Sequence, residues 1–181
     1  MQLRIDKATL LAVMECMAVR DVRYYICGIC FLPDGKVAGT DGHMLAYGEH
    51  DNQIDHEVIL SVGKLPTKTF DYAVFDTDAG IVKLLTDEEV TVGVTLCGVI
   101  DGKYPDVSRV MRNARNADEQ LPSKIGFNAG YMAKLEKIAK YVNPKLPALQ
   151  IQVKTACDAV ICDIVNPYKT PVSVLIMPMR I

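Results

Sequence analysis

Apolar residues fall at two periods along this chain, and the changes of period divide it into elements. Residues 3–5 read as a short strand, and Asp6 follows as a helix N-cap. Leu10, Val13, Met14, Met17 and Ala18 then recur at helical spacing and predict a helix over 7–19 with one apolar face. Asp21, Val22 and Arg23 end it. Residues 24–31 read as a strand, Pro33-Asp34-Gly35 as a turn and 36–38 as the returning strand. A polar knot, Gly39-Thr40-Asp41-Gly42-His43, separates that strand from another at 44–48, and its Asp-Gly pair favours a tight reversal. After a polar loop at 49–55 come strands at 57–62, 72–75, 80–85 and 90–99. Gly63-Lys64-Leu65-Pro66-Thr67 breaks the pattern where a second helix would stand. In the last strand Val90, Val92, Val94 and Leu96 alternate with Thr91, Gly93, Thr95 and Cys97, the pattern of a half-buried strand.

Residues 101–124 are polar, contain proline and are rich in Asn, Asp and Arg, so they read as a linker or long connection. The opening order then returns: a strand at 125–127, Asn128 as N-cap, and a helix over 129–142 with Met132, Leu135 and Ala139 on one face. Strands follow at 149–153, 159–164 and 173–177. The recurrence defines three β-α-β-β-β modules of about sixty residues, the middle one with its helix lost or shortened. The expected fold class is α+β, with antiparallel sheets and helices on one face.

Composition narrows the function. Half of the 181 residues are apolar, enough for a sizeable core. A formal charge of −2 excludes a protein that is basic all over but leaves room for a basic stripe. No apolar run is long enough to cross a bilayer and the N-terminus lacks signal-peptide order, so a cytoplasmic protein is expected. The six cysteines lie in apolar segments as reduced, buried thiols would. Cys27-Gly28-Ile29-Cys30 has no second ligand pair, and Ile81 stands where a calcium loop starting at Asp76 would need glycine; no metal is expected. Asp41 beside His43 is a conceivable acid–base pair, but no nucleophile or phosphate loop accompanies it. Lys134, Lys137 and Lys140 line one side of the second helix, either as a solvated face or as a phosphate-facing track.

Five dispersed stretches change the picture. Asp21-Val22-Arg23-Tyr24-Tyr25, Thr40-Asp41-Gly42-His43, Ile100-Asp101-Gly102-Lys103-Tyr104-Pro105-Asp106, Phe127-Asn128 and Met177-Pro178-Met179-Arg180-Ile181 together resemble, in order, the bacterial DNA polymerase III beta subunit, the sliding clamp. The resemblance covers nearly the whole chain but not a whole clamp. Residues 1–112 resemble the middle domain and 124–181 the second half of the last domain, with 113–123 as a linker. It implies the DNA-clamp fold, with helices on the inner face of a ring around double-stranded DNA. It also implies partners, namely a DNA polymerase, clamp loader or repair proteins carrying a clamp-binding motif, with no covalent chemistry and no cofactor.

Carried over residue by residue, the partner-peptide pocket would comprise Ile26, Thr40, Gly42, His43, Met44, Leu45, Pro105, Arg109, Val110, Leu175, Ile176, Met177, Pro178, Met179 and Arg180. Met44 departs from the family's usual arginine, keeping an apolar wall but losing a charged donor. Arg23, Tyr24 and Tyr25 fall where the family has a DNA-contacting loop, and Lys134, Lys137 and Lys140 are the further DNA-binding candidates. Three modules per chain, against roughly a dozen per ring, imply a homo-oligomer of about four chains. The alternative is a ring-less mimic, of the kind a phage would encode, that sequesters clamp-binding proteins.

Overall fold

The computed structural model describes residues 1–66, 69–118, 120–166 and 171–179. Its elements are β1 (Gln2–Asp6), α1 (Lys7–Cys16), a 3-10 turn (Tyr24–Ile26), β2 (Ile29–Phe31), β3 (Lys36–Thr40), β4 (Met44–Glu49), β5 (Val58–Val62), β6 (Tyr72–Asp76), β7 (Ile81–Leu85) and β8 (Thr91–Val99). They continue with α2 (Val107–Asn116), α3 (Ala129–Val142), β9 (Leu149–Gln152), β10 (Val160–Ile164) and β11 (Val172–Ile176). The strands form one sheet in the order β1-β6-β7-β8-β5-β2-β3-β4-β11-β10-β9, and every ladder is antiparallel.

That order has an internal logic. The first two modules exchange their leading strands: β1 pairs with β6 of the second module, and β5 pairs with β2 of the first. The third module joins through its last strand, β11, which runs along β4 with Leu175 opposite Leu45. No helix stands between β5 and β6 among the described residues, in keeping with the proline-bearing break there.

The sheet separates two cores. On one face α1 and α3 pack beside each other; Leu10, Val13, Leu135, Ile138 and Val142 are buried with Phe31, Phe75 and Leu84. Their helical spacing supplies the apolar stripe, and Asp6 and Asn128 cap the two helices by accepting from the Thr9 and Gly130 amides. α1 lies so close to β3 that a Cβ at Gly39 would stand 1.9 Å from the Val13 carbonyl oxygen. On the opposite face Val107, Met111 and Ala114 of α2 close a second core with Ile26, Cys30, Leu45, Tyr104 and Leu175.

Several sequence expectations are corrected. α1 stops at Cys16 and not at 19, because Met17 turns extended and the Ala18 amide is taken by the Ile26 and Thr40 carbonyls. Residues 24–31 are not one strand; the Ile26 and Cys27 amides bond back to Arg23 and Tyr24, forming the 3-10 turn before β2. The expected connection at 101–124 contains α2 (Val107–Asn116), which also crosses the expected domain boundary at 112/113. Asp106 caps this helix by accepting from the Arg109 amide, and Val107, Met111 and Ala114 recur on one face. This helix also lies on the face opposite α1 and α3, so the helices do not all share one side. In β8, Gly93 and Thr95 stand opposite the buried Leu84 and Val82, after an irregularity at Leu84/Leu85. Val94 and Leu96 therefore point the other way, 53% and 71% exposed.

Candidate functional site

The polar knot of the opening module is a structural turn. Asp41 Oδ1 accepts the His43 and Met44 amides at 2.9 and 2.8 Å, while Thr40 Oγ1 donates to the Met44 carbonyl and accepts the Gly42 amide. The carboxylate is thus committed to holding the backbone, with Lys134 Nζ 3.6 Å from its other oxygen. Gly42 sits at φ +90°, which an L side chain rarely adopts. A Cβ there would also stand 2.8 Å from an Arg23 guanidinium nitrogen. The His43 ring stacks on Tyr131 of α3, with centroids 6.3 Å apart.

This turn forms one wall of a cavity of about 220 Å³. Beside it are Leu175 of β11 and Met177 just past the strand's end; Tyr25 and Ile26 come from the 3-10 turn, and Pro105, Val107 and Val110 from the start of α2 and the residues before it. The Met177 amide donates to the His43 carbonyl and fixes the two walls to each other. Leu175 and Ile176 take opposite faces of β11: Leu175 packs with the second core beneath the cavity, Ile176 with the core under α1 and α3. The cavity is smaller than the usual small-molecule site and its scale suits one or two anchoring side chains.

Of the residues assigned to a pocket from sequence, Ile26, Thr40, Gly42, His43, Met44, Leu45, Pro105, Val110, Leu175 and Met177 line this cavity. Arg109, Ile176, Pro178 and Met179 are not among its lining residues, and Arg180 lies outside the described residues. The Met44 side chain is buried in the core under α1 and α3, so an apolar residue suits its place. Three further residues line it: Val107, within the expected connection, and Arg23 and Tyr25, which the resemblance places in a DNA-contacting loop.

Arg23 places a guanidinium at the cavity. Asp21 holds it from below, accepting from Nε at 3.0 Å and Nη2 at 2.8 Å, and Nη2 also donates to the Asp41 carbonyl. The Arg23 side-chain hydrogen bond is the main reason that the Asp21 carboxyl is held down to about 2. A charged donor is therefore present beside Met44, supplied by a different element. Tyr24, by contrast, is exposed and touches Tyr25 edge to face.

The lysine stripe lies along α3 beside α1. Lys137 bonds Glu15 of α1 at 2.7 Å, Lys140 bonds Glu136 at 2.5 Å, and Lys134 faces Asp41. Each ammonium group has a nearby carboxylate, so the stripe is a mixed-charge surface and not a run of bare cations. Of three larger cavities, those near 420 and 510 Å³ are ringed by charged residues such as Asp34, Arg112 and Asp163, or Arg4, Asp51 and Asp71, and one near 480 Å³ lies between Leu121 and residues 151–154. Among the described residues no group of three or more His, Cys, Asp or Glu side chains is placed to hold a metal, and no helix is long and apolar enough to cross a membrane.

The exchanged leading strands, the continuous antiparallel sheet and the paired helices on one face define the fold of a DNA polymerase sliding clamp. It resembles solved structures of bacterial clamps, the beta subunit of DNA polymerase III among them. The Pseudomonas aeruginosa sliding clamp matches at TM-score 0.58 and 18% identity, covering 99% of this chain and 66% of that one. The H. pylori beta clamp matches at TM-score 0.64 and 11% identity, with 99% and 66% covered. The Caulobacter crescentus clamp matches at TM-score 0.59 and 16% identity, with 99% and 65% covered. The chain thus spans about two thirds of the length of these clamps. No sequence-defined protein family and no curated protein sequence matches it.

Proposed function

We propose that this chain is a non-catalytic, clamp-like processivity factor of the cytoplasm that encircles double-stranded DNA as a homo-oligomeric ring, a tetramer being favoured. In this reading residues 1–112 and 124–181 are a clamp domain and a half domain. The cavity over the paired ends of β4 and β11 docks a polymerase, clamp loader or repair protein through a short motif. The observation that carries the reading is the convergence of two distant stretches, Thr40–Leu45 and Leu175–Met177, on one apolar cavity with a fixed guanidinium at its edge. Apolar walls capture anchor side chains and the polar rim sets the direction of the peptide.

Tyr24 and the lysines of α3 are the DNA-facing candidates. Cations that are already paired with carboxylates can exchange partners with phosphate at low salt, which makes binding weak and salt-sensitive. Self-association is supported by the exposed Val94 and Leu96 on β8.

Fluorescence anisotropy of a labelled peptide carrying a bacterial clamp-binding motif tests the cavity. Val110→Glu places a charge on a lining residue that is 41% exposed, and His43→Ala removes a ring at the turn. Both variants are expected to lower peptide affinity at least about tenfold, or about 1.4 kcal/mol, with unchanged particle mass. Unchanged affinity in both contradicts the assignment.

A further inference from the structure

The third module is structurally incomplete, and the first two show what it lacks. In each of those modules the second strand is flanked by the leading strand of the other: β5 covers β2, and β1 covers β6. β5 also touches the end of the last strand of its own module, through Val62 opposite Cys97 on β8. The third module repeats half of this arrangement. Its leading segment, residues 125–127, meets the end of its own last strand through the Gly126–Met179 bridge. Its second strand, β9, pairs with β10 on one side, and among the described residues no strand pairs with its other edge.

Backbone geometry shows which groups are left over. The Ala148 carbonyl accepts the Val165 amide on the β10 side, so by alternation Gln150 and Gln152 face β10 while the amide and carbonyl of Ile151 face outward. Gly126 spends its carbonyl on Met179, so in an extended segment the groups of Ile125 and Phe127 face the other way. Burial tells the same story: Ile29, Cys30 and Phe31 of β2 are fully buried, whereas in β9 Ile151 is 48% exposed and only Leu149 is half-buried. The exposed edge of β9 carries no charge and no proline, the two features that usually protect an edge strand.

We propose that the third modules of two copies of this chain complete each other as one two-fold domain. Residues 125–127 of one chain add to the outer edge of β9 of the other, and the reverse pairing forms at the same time. The two vacancies belong to one module but lie on different strands, and a two-fold axis is the symmetry that fills both at once. The occupant is a second copy because the missing piece is the leading strand of a like module, which the first domain already exchanges within itself. This inference rests on the ring reading and adds to it that chains join in pairs through this interface, so the ring contains an even number of them.

Sedimentation velocity of the full chain at micromolar concentration, with hydrogen exchange on the same samples, tests the pairing. Ile151→Pro removes an outward amide without removing a β9–β10 bond, and Ile151→Lys charges the same edge while keeping the strand. The wild type is expected to be a tetramer with a protected Ile151 amide, and both variants to fall to half its mass with peptide affinity unchanged. An assembled wild type whose mass neither variant changes overturns the pairing while the ring reading stands. Halved mass in the variants of a wild type that is not retained on circular DNA upholds the pairing and removes the ring. A monomeric wild type with a freely exchanging Ile151 amide overturns the pairing.

Discussion

Replacing Asp41 separates its role in the turn from its charge. Asp41→Ala removes the acceptor of the His43 and Met44 amides, at 2.9 and 2.8 Å, and leaves Lys134 without the carboxylate 3.6 Å away. Hydrogen bonds to a charged acceptor contribute about 1.5–3 kcal/mol each, and an ion pair of this exposure about 0–1 kcal/mol. Because both amides share one oxygen, the contributions do not add in full, and the expected loss is about 2–4 kcal/mol. For a chain of this length that lowers the melting temperature by about 5–15 °C. Asp41→Asn keeps an oxygen for both amides and gives up the ion pair, so it should cost only about 1 kcal/mol. Urea unfolding of the two variants measures the difference. Equal destabilisation within about 0.5 kcal/mol would show that charge, not the turn, is what Asp41 contributes, and the account of this cavity wall would be wrong.

Other expectations concern the charges and thiols. A triple Lys134, Lys137 and Lys140 to Ala variant should flatten the salt dependence of DNA association by up to about three units of slope, about 0.9 per lost phosphate contact; an unchanged slope leaves the stripe as a solvated face. The Asp21 carboxyl, held down to about 2 first of all by its side-chain hydrogen bond with Arg23, is depressed in the folded state. Its contribution is therefore complete above the ordinary carboxylate range and is lost as pH falls through about 2. Carbon-13 titration should place its midpoint there and return it to the ordinary range in Arg23→Ala. Burial raises the Cys16 and Cys30 thiols and pushes Cys162 up to about 12, whereas Cys157 is exposed. A thiol reagent should modify Cys157 rapidly in the native protein and these three only on unfolding; rapid native labelling of Cys162 would contradict the packing of β10.

Local signals carried most of the fold. Caps at Asp6 and Asn128, helical spacing in α1 and α3 and alternating strands placed nearly every element within a few residues, because these patterns depend on neighbours along the chain. The signal for α2 was masked by surrounding Arg and Asn, although Asp106 with Val107, Met111 and Ala114 is a capped amphipathic pattern. The 3-10 turn looked like a strand because Tyr24, Tyr25 and Ile26 have strand propensity, which contacts to Ala18 and Arg23 override. The exposed face of β8 follows from an irregularity at Leu84/Leu85 that alternation alone does not reveal. The cavity was legible only through the resemblance, since it joins residues more than a hundred positions apart. The place of Arg23 within it depends on Asp21 and the Asp41 carbonyl, which no spacing rule links.

The central claim is topological: the protein encircles DNA. It is tested most directly by loading the protein on a closed circular duplex, removing unbound protein by gel filtration in moderate salt, and then cutting the circle once. The account predicts that the protein stays with the closed circle and is released on linearisation, with the retained particle close to four chains in mass. Equal retention on closed and cut DNA, or none on either, would contradict it; peptide binding that survives in the second case would identify a ring-less decoy.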